Sequence, residues 1–154
     1  PKALRMIQIS HGDDLTLDPP VSSCVEKIVV ETFNFKNILT YEVSLVFVSD
    51  DYLSELKKKY FKKDHYTDVI AFRLNEYEEP FVEGEVYISI PRAKENAQSL
   101  NEPFSREVSR LIIHGCLHLI GLKDKTDIEN FTTGLSFIEK MQPDVAQIKT
   151  LWYN

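Results

Sequence analysis

Hydrophobic residues recur at two periods along the 154-residue chain, every second position in some stretches and every third to fourth in others. Residues 4–10 (Leu-Arg-Met-Ile-Gln-Ile-Ser) alternate and predict a first strand, and Asp18-Pro19-Pro20 then punctuates. Val21, Cys24, Val25, Ile28, Val29, Thr32 and Phe33 form one apolar stripe, which predicts a helix over residues 21–34 packed on a sheet. Residues 41–48 alternate Val43, Leu45 and Phe47 on one face, predicting a second strand, and Ser49-Asp50-Asp51 offers capping side chains for a short helix over 51–60. Val69 to Leu74 and Glu85 to Ile90 read as paired strands. The stretch between them, Asn75 to Gly84, holds Pro80 and four glutamates and reads as a solvated hairpin connection rather than a site. Pro91 opens a helix of about residues 92–100. A longer helix begins near Pro103 and runs through Val108, Leu111, Ile112, His114, Leu117 and His118, and a further one is predicted over 127–141 from Ile128, Phe131, Leu135 and Ile138. No repeat, linker or low-complexity tract interrupts the pattern, so residues 1–154 are expected to form a single domain.

Composition supports that expectation, since 43% hydrophobic and 27% charged residues suit one ordinary globular core. No apolar run approaches the roughly 20 residues needed to span a bilayer, and Pro1-Lys2-Ala3-Leu4-Arg5 lacks the apolar core of a secretory signal. A cytoplasmic protein without membrane association is expected. Cys24 and Cys116 both fall on helix faces that read as buried, which suits reduced thiols better than a disulfide. The net charge of −6 argues against attraction of nucleic acid to the whole surface, although a local basic patch is compatible with it. One candidate patch is Lys57, Lys58 and Lys59 with Lys62 and Lys63, and its cations would equally favour the C-terminal end of the 51–60 helix.

Two of the four histidines, His114 and His118, stand at i and i+4 on the longer helix, where both rings reach one side and can share a metal ion. Gly121 can take the left-handed conformation that ends a helix and turns the chain back, which would return Asp124 to the same ion as an oxygen ligand. Two nitrogens and one carboxylate leave a fourth position open, the mark of a catalytic rather than a structural zinc. The spacing matches that of the long metalloprotease motif, yet the glutamate that serves there as general base is replaced by Gly115. A peptide substrate is disfavoured on that ground. A glycine within a helix costs about 1 kcal/mol relative to alanine, so something is expected to need the space above Gly115, either a bulky substrate or a close backbone contact. Cys116 points roughly 200° away from His114 around the helix and is expected to pack rather than to bind metal.

Three separated blocks, Thr67-Asp68-Val69-Ile70-Ala71-Phe72, Gly84-Glu85-Val86-Tyr87-Ile88-Ser89 and His114 to Gly121, resemble the YbeY family of bacterial metal-dependent endoribonucleases of ribosomal RNA maturation. The likeness spans about residues 40–141. It implies an α+β, zincin-like two-layer fold in which a mixed four-stranded sheet is flanked by about five helices. It further implies one zinc ion (Zn2+), single-strand-specific cleavage of RNA in 16S rRNA 3′-end maturation and ribosome quality control, and work on the small ribosomal subunit rather than on DNA. In the family the third ligand is usually a histidine, and Asp124 stands in its place here. A carboxylate there should make the ion a weaker Lewis acid. The family pattern also has an arginine after tyrosine where Tyr60 is followed by Phe61, and Lys62 or Lys63 could supply the charge but not the bidentate fork. Thr67 and Asp68 are candidates for positioning substrate, or Asp68 for orienting a ligand, and both serve equally as cap or turn residues. Two rival readings are a metallopeptidase-like hydrolase, which Gly115 opposes, and a non-catalytic ribosome-associated factor with a structural zinc.

Overall fold

The computed structural model describes residues 4–12, 20, 22–61 and 68–121. Their order is β1 (Arg5–His11), α1 (Ser22–Phe35), β2 (Tyr41–Val48), α2 (Asp50–Phe61), β3 (Val69–Arg73), β4 (Val82–Ser89), α3 (Ile90–Ser99) and α4 (Phe104–Leu119). The four strands form one mixed sheet in the order β1-β2-β4-β3, with β1 parallel to β2, β2 parallel to β4, and β3 antiparallel to β4. The class is the expected α+β. Four helices are described, and the helix predicted over 127–141 lies outside the described residues.

Strand alternation divides the apolar side chains between the two faces. Val43, Leu45 and Phe47 of β2 and Val86 and Ile88 of β4 join the α1 and α4 stripes in the main core. The alternate residues Val48 and Ile70 meet Leu53 of α2 in a smaller cluster, with Phe72 and Tyr87 against it. The small cluster places α2 on the face opposite α1 and α4, so the sheet carries helices on both sides rather than in strictly two layers. Cys24 and Cys116 are free and buried, as the pattern predicts.

Two boundaries differ from expectation by more than one residue. β4 starts at Val82, three residues before the predicted strand, because its register with β2 pairs Val82 with Tyr41 and Glu83 with Glu42, whose partners β-propensity alone does not reveal. α3 starts at Ile90, with Ser89 as N-cap accepting from the Arg92 backbone N–H and Pro91 inside the first turn. No helix among the described residues is long and apolar enough to cross a membrane.

Candidate active site

α4 exists because its apolar stripe is long and continuous: Val108, Leu111, Ile112, Cys116 and Leu119 are all buried. Its other stripe carries Glu107, Arg110, His114 and His118, spaced at three or four residues and therefore aligned down one side of the helix. His114 and His118 are both half-buried. Their rings stack with centroids 4.5 Å apart and planes inclined by 29°, and their Nε2 atoms approach to 2.7 Å. The two nitrogens thus face each other at hydrogen-bonding distance on one side of the helix.

A pair of glycine contacts sets how close this helix lies to the sheet. A Cβ on Gly115 would stand 2.4 Å from Cγ1 of Val86, and one on Gly84 would stand 2.5 Å from Cδ2 of Leu119 and 2.8 Å from the Phe72 carbonyl oxygen. Neither of the two reasons expected for Gly115 is the one found, because the space is taken by the Val86 side chain of β4 rather than by backbone or substrate. The same geometry shows that a glutamate at 115 would be driven into Val86. The helix ends as its sequence predicts: Gly121 has φ +92°, and its N–H donates to the His118 carbonyl at 3.0 Å.

Asp68 directly precedes β3 and accepts from Asn96 Nδ2 at 3.1 Å, while the same amide donates to Glu107 Oε2 at 3.0 Å. Glu107 is 2% exposed and is held in addition by a two-pronged ion pair with Arg110. That hydrogen bonding to Glu107 raises the Arg110 pKa above its ordinary value, against the opposing effect of burial, and keeps the guanidinium charged. Asp68 thus belongs to a polar chain joining β3, α3 and the start of α4, two helical turns from His114. Lys62, Lys63, Thr67 and Asp124 lie outside the described residues, as does the side chain of Phe61. Cys116 is fully buried in the main core, as expected of a packing residue, and burial pushes its thiol up to about 12.

Among the described residues no group of three or more histidine, cysteine, aspartate or glutamate side chains could hold a metal ion. The histidine pair alone supplies two ligands of suitable chemistry. Nitrogens bound at about 2.0–2.1 Å to one tetrahedral zinc stand further apart than the 2.7 Å observed, so the rings need only open by a fraction of an ångström. Sequence reading missed Asn96, Glu107 and Arg110. The signal for the last two was present, since Glu107 precedes His114 by seven residues and Arg110 by four, whereas Asn96 is brought in by the packing of α3 on α4.

The family model described as Endoribonuclease YbeY matches residues 8–133. The chain belongs to the YbeY family. It is 35% identical over 139 residues to Endoribonuclease YbeY of Halalkalibacterium halodurans, a match covering 82% of this chain and 86% of that one. It is 39% identical over 101 residues to Endoribonuclease YbeY of Flavobacterium psychrophilum, covering 66% and 71% of the two chains. The solution structure of a Thermotoga maritima protein is similar with a TM-score of 0.58 and 26% identity, over 90% of this chain and 95% of that one. Membership of the YbeY family makes the chain one of a group of RNA-cleaving hydrolases, and the convergent histidine pair lies within the matched residues.

Proposed function

We propose that this YbeY-family chain is a zinc-dependent endoribonuclease cutting single-stranded RNA, and that its substrate is small-subunit ribosomal RNA at the 16S 3′ end in the cytoplasm. The observation that carries the metal reading is the 2.7 Å approach of His114 Nε2 to His118 Nε2. His114 and His118 would hold the ion, with Asp124 as the third ligand. When bound, the ion supplies Lewis acidity toward a phosphodiester. His114 and His118 fix its place on a rigid helix, and the close seating of Gly115 on Val86 keeps that helix at a set distance from the sheet. Lys62 and Lys63 would attract the RNA backbone, and Thr67 and Asp68 would position it. A peptide substrate is opposed by position 115, which faces the sheet and leaves no general base beside His114.

The test pairs metal analysis with cleavage of single-stranded RNA for the parent protein and a His114→Ala variant. Both metal retention and cleavage are expected to disappear in the variant. Cleavage by rigorously metal-free parent protein would overturn the reading.

A further inference from the structure

Arg73 is a charged side chain whose hydrogen bond reaches the histidine helix from another element and which the proposed chemistry does not use. Arg73 ends β3, and its ladder partner across the hairpin is Gly84 of β4. Leu119, the residue directly after His118, is gripped by both. Its side chain fills the place that a Cβ on Gly84 would occupy, and its carbonyl accepts from Arg73 Nη1 at 2.7 Å. The last carbonyls of a helix have no partner within it. In α4 the Leu117 carbonyl accepts from the Ile120 N–H, the His118 carbonyl from the Gly121 N–H, and the Leu119 carbonyl from this guanidinium. A cation at this end also complements the helix dipole.

The rest of the guanidinium is spent on the hairpin connection. Nε donates to Asn75 Oδ1 at 2.6 Å, and Nη2 donates to the carbonyls of Glu76, Glu79 and Phe81 at 3.0, 3.2 and 3.1 Å. Asn75 returns a bond from Nδ2 to the Phe81 carbonyl at 2.6 Å and accepts from the Glu83 N–H at 3.0 Å. Tyr77 covers the cation with its ring centroid 5.2 Å from Cζ. The same ring stands over the helix exit, since a Cβ on Gly121 would meet it at 3.2 Å. The acidic connection expected to be merely solvated is therefore latched to the turn that follows His118.

We propose that Arg73, with Tyr77, is a positioning residue for metal binding: it fixes the last turn of α4 and so holds His118 in register with His114. This rests on the reading of His114 and His118 as metal ligands. The fork of donors is essential to it. A lysine at 73 keeps the charge but offers a point donor that cannot bond the Leu119 carbonyl and the hairpin carbonyls together. Groups that support a metal ligand without touching the ion typically change metal affinity by about 10–100-fold when altered.

The test measures zinc affinity by competition with a chromophoric chelator, and the visible spectrum of the cobalt(II) form, for the parent, Arg73→Lys, Tyr77→Leu and His114→Ala proteins. Thermal unfolding is followed in the metal-free state. Arg73→Lys is expected to bind zinc about tenfold or more weakly and to shift the cobalt bands, with Tyr77→Leu changed in the same direction while its metal-free melting is unaltered. Zinc affinity and cobalt spectra equal to the parent's in both variants overturn the proposal, whatever happens to melting. Should Arg73→Lys fail to fold, Tyr77→Leu, an exposed ring, decides alone. A parent that binds no zinc removes the metal reading itself, whereas a parent that binds zinc beside a His114→Ala protein that does not leaves only the role of Arg73 at stake.

Discussion

Burial sets the chemistry of single residues more than their type does. Cys116 and the histidines share one helix, yet the thiol lies wholly inside the core with its pKa pushed from 9.0 to about 12 by burial, while the imidazoles are half-exposed. Tyr41, 1% exposed, is shifted in the same direction, chiefly by burial. A folded pKa above that of the unfolded chain means that the protonated form favours the fold. The contribution of Cys116 is therefore complete below about pH 9 and is lost as the pH climbs towards 12. Urea midpoints should fall steadily above about pH 9, and the fall should be shallower in a Cys116→Ala protein; parallel curves for the two proteins would refute this account. The i, i+4 histidines and Gly121 were legible as single residues because a helix places its side chains by counting. The asparagine bridging Asp68 and Glu107 was not, because nothing local links residue 96 to residues 68 and 107.

Between elements, the decisive contact is that of α4 with the sheet, and it depends on two missing Cβ atoms. They differ in what they face: Val86 side-chain methyls at Gly115, but both Leu119 and the backbone oxygen of Phe72 at Gly84. Gly115→Ala should destabilise by about 1–3 kcal/mol, the usual cost of overpacking, and trimming the neighbour in a Gly115→Ala/Val86→Ala double variant should recover part of it. Gly84→Ala should not be recovered by Leu119→Ala, since the carbonyl oxygen remains at 2.8 Å. Denaturant unfolding of the two double-mutant cycles measures both couplings. Equal rescue at the two positions would show that the helix shifts as a unit instead. The sequence marked Gly115 as unusual because glycine is costly inside a helix, but the face it presents came only from the fold.

For the whole molecule, a ligand that binds the folded state alone stabilises it, by about 2.7 kcal/mol at a concentration 100 times its dissociation constant. In a chain of this size that corresponds to about 5–10 °C in melting temperature. Zinc should raise the melting temperature of the parent by about that amount, a strong chelator should reverse it, and neither should affect His114→Ala; an unchanged parent midpoint would exclude metal-coupled stability. By itself the sequence determined the four strands, most helix bounds, the α+β class, the family blocks and the i, i+4 histidine pair. The strands, helix bounds and histidine spacing follow from periods of two and 3.6 residues and from local turn chemistry, which a chain carries wherever it goes, whereas the class and the blocks rest on the family resemblance. Tertiary structure alone decided the strand order β1-β2-β4-β3, the placing of α2 on the second face, the Asp68–Asn96–Glu107–Arg110 chain and the latch of Arg73 on Leu119. The last of these joins residues 46 apart in sequence, and no local period encodes a contact at that separation.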